Sequence, residues 1–546
     1  GRLEIPLTGV QPTGGPGQLT IRVWSSNQSP ADPDHHLQVW LNGYELANHF
    51  WDGIRQETLH LTLTDGVLKP ATNLLVLSVP GDTGAAGESI FLDWIRLKYE
   101  GRLNMERGQL MFRSDAANLR VSGAEDEALI FDVSDPLAPV LLINTEIEDG
   151  VLRLSGTEDD AESVYLALNP RQAIRPRIEP APKWDAPLRE AERGADYVAI
   201  VPPAAGFDDA LQPLLDHRRA QGLRTSTVPL RQVYDEFAHG REKPEAIRAF
   251  LAHAASEWNP APRFVLLVGD ASYDVNDYTA GPNRNLLPTY LVFTEFTGYV
   301  ASDSWFTTFD STPVPSVAIG RLPAQSGEQL EVMVQKTIDY ESARDTGWRS
   351  RALLVADDEL RFNATSEWLA ERLYDTGYQT QKLYMTENED IRDAVISAVN
   401  HGVSIVNYVG HGGIDVWGDE MVLEARDARM MMNGSRLPIF TTFTCLNGYF
   451  NHPSMDALAE TLLWTANGGI VAAVAPSGRT FTSQQTPLAN LFYQSLLNQE
   501  VKTLGEALKQ AKATSAGNAN LGEVLHAFNL LGDPALRFQM PANRDE

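Results

Sequence analysis

The sequence contains almost no cysteine: one residue, Cys445, among 546. A single cysteine excludes any disulfide bond within the chain, so cysteine content does not indicate a cellular compartment. On its own, a lone cysteine is best explained as a small buried hydrophobic residue. The position of Cys445 at the end of a predicted strand, with a histidine at the end of a neighbouring one, favours a chemical role instead.

Positive charge and long hydrophobic runs are also scarce. The chain has 44 lysine and arginine residues against 72 aspartate and glutamate residues, a formal net charge of −28. This excess of negative charge argues against nucleic acid and anionic membrane surfaces as partners. No apolar run approaches the roughly 18–20 residues that span a bilayer, so no transmembrane segment is expected. No signal peptide opens the sequence and Gly1 is not a natural start, which favours a mature or trimmed form.

Two common hydrolase signatures are missing as well. The sequence has neither a GxSxG nucleophile elbow nor an HExxH zinc helix, so a serine hydrolase of that type and a zinc peptidase are not expected. A hydrophobic fraction of 43% and a charged fraction of 21% fit a soluble globular protein. The length predicts several domains.

The pattern of short and long periodic segments divides the chain. Residues 1–100 carry short alternating runs between turn clusters, which predicts a β-sandwich-like domain. Residues 101–169 continue as a second β-rich unit, and the proline-rich residues 170–194 form a linker. Strands and helices then alternate, which predicts a doubly wound α/β fold made of two side-by-side subdomains, 195–348 and 349–546.

The most informative stretch is a predicted β-helix-β unit in the second subdomain. Val403–Val409 and Leu437–Thr444 are apolar runs rich in β-branched residues and predict buried strands, with a helix over Glu424–Met432 between them. A crossover of this kind makes the strands parallel. His411 closes the first strand and Cys445 closes the second. Because ligands bind beyond the carboxyl ends of such strands, both residues are expected at one mouth of the sheet.

These residue types suit nucleophilic catalysis. A thiol attacks as the thiolate, and a neighbouring imidazole can take its proton and return it to a leaving amine. Gly412-Gly413 allows a sharp turn after His411, and the amides of Gly412 and Cys445 are candidate oxyanion-hole donors. Taken singly, His411 is better explained as a turn residue that caps a strand, and only the pair points to chemistry.

Several sequence blocks carry a resemblance to a known family. The blocks include IVNYVGHGG, TCLNGYF, VLLVGDASYD, VAIGRLPA and LLGDPALRF, in that family's order. With them the chain resembles the gingipain-type cysteine peptidases, peptidase family C25, which have a caspase-like fold. The resemblance implies that His411 and Cys445 are a catalytic dyad and that an acidic residue on an earlier strand end faces the histidine. Asp357 and Asp358 are the candidates, and spacing does not choose between them.

The resemblance leaves the substrate and metal open. Gingipains proper use an acidic group to prefer basic residues at the cleavage site, but the stretch after Val474, APSGRTFTSQQTP, has no carboxylate. The chemistry requires no cofactor. Family members bind calcium, and Asp270, Asp274 and Asp303 are candidate ligands for a structural Ca²⁺, with solvated or helix-capping loops as the alternative.

The resulting functional hypothesis is a secreted or cell-surface bacterial cysteine endopeptidase, monomeric, acting on protein or peptide substrates through a thioester. Two alternatives stay open. A sortase-like transpeptidase would resolve the same thioester with an amine and attach cargo to a surface anchor. A non-hydrolytic secretion or scaffold component would keep the fold without the chemistry, and would act through surface or secretion-system partners.

Overall fold

The computed structural model describes residues 1–105, 107–116, 118–155, 163–177, 182–190, 193–294, 296–310, 314–388, 390–498, 500–515 and 518–541. The chain forms two compact units, Gly1–Pro180 and Ala181–Glu546. The predicted linker 170–194 contains the boundary, and its residues 178–181 and 191–192 lie outside the described residues. Among the described helices, none has the length and apolar character needed to cross a bilayer.

The N-terminal unit is built from antiparallel β-structure. Its strands are β1 (Arg2–Val10), β2 (Pro12–Ser25), β3 (His35–Leu41), β4 (Tyr44–Trp51), β5 (Gln56–Leu63), β6 (Ala71–Ser78), β7 (Ile90–Gly101), β8 (Gln109–Ser114), β9 (Asn118–Ser122), β10 (Leu129–Asp132), β11 (Val140–Leu141), β12 (Thr145–Glu148), β13 (Val151–Ser155) and β14 (Ser163–Leu168).

Two pairs of sheets make up this unit. Sheets β1-β6-β3-β4 and β5-β2-β7 bury their alternating apolar residues in one core that includes Ile21 and Val39. Sheets β11-β10-β14-β8 and β12-β13-β9 enclose a smaller core around Val121 and Ile130. The cores form because alternate residues of each strand face inward. In β2, Leu19, Ile21 and Val23 are buried while their neighbours face outward.

The second unit alternates strands and helices. Its strands are β15 (Tyr197–Val201), β16 (Thr225–Pro229), β17 (Phe264–Val268), β18 (Leu291–Thr294), β19 (Gly298–Ala301), β20 (Ala318–Leu322), β21 (Arg351–Ala356), β22 (Gln379–Tyr384), β23 (Ile405–Val409), β24 (Val416–Trp417), β25 (Leu423–Glu424), β26 (Ile439–Phe443), β27 (Ala472–Pro476) and β28 (Phe528–Leu531). Its helices are α1 (Phe207–Ala220), α2 (Leu230–Ala238), α3 (Pro244–Glu257), α4 (Gly327–Ser342), α5 (Leu360–Asp375), α6 (Arg392–His401), α7 (Leu458–Trp464), α8 (Thr482–Leu496), α9 (Leu504–Ser515) and α10 (Gly522–Ala527).

Most described strands of this unit form one sheet where the sequence predicts two, and β18-β19 and β24-β25 are separate two-stranded hairpins. Ten of them pair in the order β16-β15-β17-β20-β28-β27-β26-β23-β21-β22. Strand β28 joins the two predicted subdomains, because Leu531 pairs with Arg321 of β20 in parallel and with Ala473 of β27 antiparallel. Local sequence pattern does not reveal this strand, since its pairing partners are far away in the chain.

Helices cover both faces of the sheet. On one face, α1, α4, α6 and α7 share a single core that runs across both halves. On the other, α2 and α3 cover the first half, and α5, α8 and α9 cover the second. Both faces of the strands are therefore apolar: in β23, Val406 and Tyr408 point to the first core while Ile405 and Val409 point to the second.

The predicted helix over Glu424–Met432 is shorter than expected. The structure has a 3₁₀ turn, Ala425–Met430, with Glu424 and Asp427 capping its start. The strands on either side are parallel neighbours, as predicted, so the crossover exists without a full helix.

A buried arginine fixes the turn after β28. Arg218 of α1 donates from Nη2 to Asp533 Oδ2 at 2.7 Å and from Nη1 to Glu341 Oε2 of α4 at 2.8 Å. Burial alone would raise the pKa of Glu341, but the hydrogen bond from His217 and the charge of Arg218 bring it to about 2. The network ties two helices to the segment that follows the central strand.

We expect Arg218→Ala to reduce the free energy of unfolding by roughly 3–5 kcal/mol, because it leaves two buried carboxylates without their cation. Urea unfolding at pH 7 measures the loss. The matched control is Arg219→Ala, since Arg219 is next in the helix and exposed, and its partners among the described residues are Asp216 and the hydroxyl of Thr225. That variant should change stability by less than about 1 kcal/mol. Equal losses in the two variants would contradict the role given to Arg218.

Candidate active site

The register of the sheet places His411 and Cys445 at the same level. Strands β23 and β26 are parallel, and Val409 pairs with Phe443 at their carboxyl ends. His411 and Cys445 each follow two residues later. Because paired strands lie about 4.8 Å apart, these two chain positions leave the sheet side by side. The structure thus brings together the two residues that the sequence analysis singles out.

The two loops pack directly on one another. A Cβ atom on Gly412 would lie 2.5 Å from Thr444 Oγ1 and 3.1 Å from the carbonyl oxygen of Cys445, so the position has no room for a larger residue. Asn447 is buried and donates from Nδ2 to the carbonyl oxygens of Gly413 at 2.8 Å and Val416 at 3.1 Å. Backbone contact and this amide bridge therefore hold the histidine loop against the cysteine loop.

Cys445 is a partly buried thiol at a sharp turn. Its Sγ donates to the carbonyl oxygen of Thr480 at 3.6 Å, and the next residue, Leu446, has φ of 61°, a left-handed conformation that L residues adopt at a cost. Burial raises the pKa of the Cys445 thiol, while the positive charge of Arg479 opposes that rise. The resting group is thus a neutral thiol, which needs a base before it can attack.

His411 is oriented by a glutamate. Its Nε2 lies 3.0 Å from Glu359 Oε1, and Phe362 contacts the ring edge-on with the centroids 5.4 Å apart. The hydrogen bond from His411 lowers the pKa of Glu359, with a smaller contribution from the charge of Arg361. Since Nε2 faces the carboxylate, Nδ1 is the ring nitrogen that can exchange a proton with the thiol. The imidazole side chain is 55% exposed, so a substrate can reach it.

The expectation that Asp357 or Asp358 faces the imidazole is corrected by this geometry. Asp357 is buried and its Oδ2 accepts the backbone N–H of His411 at 2.8 Å and the hydroxyl of Tyr408 at 3.1 Å. Asp358 is exposed, and its backbone N–H is bonded to Asp357 Oδ1. The chain turns inward at Asp357 as β21 ends, and only Glu359, at the start of α5, reaches the ring.

Two backbone amides remain available beside the nucleophile. Gly412 forms an isolated bridge with Trp417 in which Gly413 and Gly418 donate, so the Gly412 N–H points away from that pairing. Among the described residues, no protein acceptor lies within hydrogen-bond distance of the N–H of Gly412 or of Cys445. This is the arrangement expected of donors that await an oxyanion.

The segment after β27 forms a wall beside Cys445. Thr480 Oγ1 donates to the carbonyl oxygen of Thr444 at 2.9 Å, and Gln485 Nε2 of α8 donates to the same oxygen at 3.0 Å. Residues 477–486 contain one charged side chain, that of Arg479, and no carboxylate. The missing carboxylate is evident from the sequence, but the position of Arg479 beside the cysteine loop is not.

The calcium candidates are bound by protein groups instead of converging. Asp303 accepts both Nε and Nη2 of Arg321, at 2.7 and 2.8 Å. Asp274 is partly exposed and accepts the backbone N–H groups of Tyr278 and Thr279. Asp270 lies in a separate buried pair. The part of the chain that the structure describes contains no group of three or more His, Cys, Asp or Glu side chains that could hold a metal ion, so the three aspartates do not lie together around one point.

That buried pair consists of Asp270, after β17, and Glu460 of α7. Both side chains are fully buried. Asp270 accepts from Ala271 N–H at 2.8 Å and Gln325 Nε2 at 3.1 Å, whereas Glu460 Oε1 has no donor among the described residues. Burial, and for Glu460 also the neighbouring Asp270, raises the pKa of both groups. The two carboxyl groups therefore share a proton at neutral pH.

A match to a protein-family model complements this geometry. The model of peptidase family C25 matches residues 190–539. Gingipain R2 of Porphyromonas gingivalis is 26% identical over 292 residues, which is 52% of this chain and 36% of the relative. Gingipain R1 of the same organism is 25% identical over 354 residues, 61% of this chain and 32% of the relative. The chain thus spans about a third of the length of the curated relatives it matches.

Solved structures share the fold. The crystal structure of the Arg-specific cysteine proteinase gingipain R superposes with a TM-score of 0.55 at 22% identity, over 64% of this chain and 79% of the other. Dimeric latent PorU from Porphyromonas gingivalis superposes with a TM-score of 0.60 at 16% identity, over 99% of this chain and 50% of the other. The first likeness covers mainly the α/β fold, and the second extends to the β-rich unit.

We expect Glu359→Gln to slow the reaction of Cys445 with a neutral alkylating reagent at pH 7 by about three- to tenfold, because the imidazole loses its charged partner. Asp358→Asn is the matched control, one residue earlier, and should leave the rate within a factor of two. Mass spectrometry follows the labelling of the single cysteine. If Asp358→Asn had the larger effect, the assignment of Glu359 would be wrong.

The shared proton predicts a pH-dependent stability. Both carboxyl groups have folded-state pKa values above the ordinary values near 4, so their contribution is complete below about pH 4 and is lost as pH rises through the folded-state values. Thermal unfolding from pH 5 to 9 should therefore show a falling midpoint. Glu460→Gln supplies a neutral partner and should flatten this fall, whereas the exposed Glu257→Gln should not. Parallel curves for native protein and Glu460→Gln would refute the shared proton.

Proposed function

The chain belongs to peptidase family C25, and from this premise we propose that it is a cysteine endopeptidase that cleaves protein or peptide substrates through a thioester on Cys445. One observation carries the proposal. His411 and Cys445 follow paired residues of adjacent parallel strands, so a base and a thiol stand side by side at the carboxyl edge of the sheet. Next to them lie two backbone N–H groups, those of Gly412 and Cys445, that donate no hydrogen bond to the described residues.

The proposed reaction begins with removal of the thiol proton. As Cys445 Sγ bonds to the scissile carbonyl carbon, His411 takes the proton, so the buried thiol becomes charged only during attack. The N–H groups of Gly412 and Cys445 donate to the oxyanion that forms. Glu359 holds the imidazole in place and stabilises its positive charge.

Three bond changes at the carbonyl carbon complete the cycle. The carbon–nitrogen bond breaks as His411 returns the proton to the leaving amine, which leaves a thioester on Cys445. A water molecule then attacks the thioester carbonyl while His411 takes a proton from it. The carbon–sulfur bond breaks, the thiol regains its proton and the carboxylic acid product leaves. Asp357 acts on the backbone of His411 and touches no reacting atom in this scheme.

The proposal extends to architecture and location. A continuous α/β sheet with its site beyond the carboxyl ends of β23 and β26 supports a caspase-like arrangement, and the two-sheet core of residues 1–101 supports a β-sandwich ahead of it. The likeness to gingipains and PorU supports a secreted or cell-surface protein. The β-rich unit has no assigned chemistry in this proposal.

The test compares reactivity and turnover. We expect an electrophilic, substrate-like thiol probe to label Cys445 at least tenfold faster than a free thiol of the same pKa, and His411→Ala to lose most of that excess. His401→Ala is the matched control, because His401 is an exposed residue at the end of α6. Labelling that is no faster than a free thiol, and equal in all three proteins, would rule out the catalytic role.

A peptide library then separates hydrolysis from transfer. Hydrolysis predicts cleaved peptides that end in a free carboxylate even when a primary amine is added. If products formed only with the amine and carried it in a new amide bond, the thioester would serve transpeptidation instead. Catalysis that survives Cys445→Ala would contradict both.

A further inference from the structure

The segment Gly478–Thr480 runs alongside the nucleophile. The N–H of Leu446 donates to the carbonyl oxygen of Gly478 at 3.1 Å, and Cys445 Sγ donates to that of Thr480 at 3.6 Å. The residues on both sides of Arg479 therefore contact the cysteine loop. Arg479 itself lies between them, at the wall of the cleft next to the reacting thiol.

The position of Arg479 is fixed by the hairpin β18–β19. Thr297 Oγ1 accepts the backbone N–H of Arg479 at 2.8 Å and donates to its carbonyl oxygen at 2.9 Å. The guanidinium lies over the ring of Phe296, 5.5 Å from its centroid, and Phe296 stacks on Phe481 at 3.9 Å. A partly exposed cation thus stands on an aromatic rim that both the hairpin and the start of α8 support.

Arg479 has no carboxylate partner among the described residues. Within the described ranges, no carboxylate lies within salt-bridge distance of its guanidinium, although the whole chain carries a net charge of −28. The arginine on the histidine side of the cleft differs, since Arg361 pairs with Glu359. The site therefore has a paired, acidic side at His411 and an unpaired cationic side at Arg479.

We propose that Arg479 is a specificity-determining residue that binds a carboxylate on the substrate, so that the preferred substrates carry aspartate or glutamate next to the scissile bond. A guanidinium presents several N–H donors in one plane and matches a carboxylate in a two-point contact. The aromatic rim restricts how the guanidinium can turn. This inference rests on the proposed function, because it names the substrate class of the same site.

The first test uses the single cysteine as its own reporter. Iodoacetate and iodoacetamide both alkylate the thiolate, but only iodoacetate carries a carboxylate. The ratio of their rate constants is independent of the thiolate fraction, so a change in thiol pKa does not disturb it. We expect the ratio for native protein at low salt to exceed that of a free thiol by about fivefold, the effect of one nearby positive charge in a solvated cleft. The excess should shrink as salt is added.

Variants assign the effect to one residue. Arg479→Gln should bring the ratio to that of a free thiol, and Arg479→Glu should bring it below. Arg372→Gln is the matched control, because Arg372 also lies over an aromatic ring, that of Trp368, but sits on α5. It should keep the native ratio. A native ratio no higher than that of a free thiol, or one unchanged in Arg479→Gln, would overturn the proposal.

Peptides extend the test to the substrate. Peptides identical except for glutamate, glutamine or lysine beside the scissile bond are compared for binding to Cys445→Ala protein and for cleavage by native protein. Glutamate should bind and react best with Arg479 present, and lysine should do so with Arg479→Glu. Charge-dependent binding without cleavage would refute the peptidase while leaving the carboxylate site intact. Cleavage at the same rate for all three peptides would support the peptidase and refute the carboxylate site.

Discussion

The pairing of Val409 with Phe443 is the constraint on which the site depends. It sets the histidine and cysteine loops at one level, and a slip of one residue would move one of them along the sheet and turn its side chains to the opposite face. Both strands are buried on both faces, which makes such a slip costly. Because Gly412 has no Cβ, the histidine loop packs directly on the cysteine loop, and the side-chain amide of Asn447 links the two by a hydrogen bond.

Two acidic residues just after the end of β21, Asp357 and Glu359, hold different parts of His411. The buried Asp357 fixes the backbone at the strand end, and the exposed Glu359 meets the imidazole from the start of the following helix. The thiol opposite is partly buried and neutral at rest. The charged groups of the site thus lie on the histidine side and at Arg479, with an uncharged nucleophile between them. The charge of a substrate group therefore affects which side of the cleft that group can contact.

Local sequence patterns predict much of this arrangement. Apolar runs that end in His411 and Cys445 predict parallel strands and their shared edge, because strand character and the position of the last apolar residue are local properties. Glu359 is missed because two aspartates precede it and the turn that hides the first of them depends on tertiary packing. Its place as the residue just before a helix is the signal that could have identified it. Arg479 is missed because its setting is created by a hairpin that lies nearly 200 positions earlier in the chain.

The single sheet is also not predictable from local sequence, because its middle strand pairs with distant parts of the chain. Phe528–Leu531 is only four residues long and precedes a glycine and a proline, so its sequence looks like a turn, and its pairing partners are distant in the chain. A ribosome must therefore synthesise nearly all of the α/β unit before its middle strand exists. Until then β20 and β27 have unpaired edges, which are templates for wrong pairing. The sheet of the α/β unit therefore cannot be completed until Phe528–Leu531 has been synthesised.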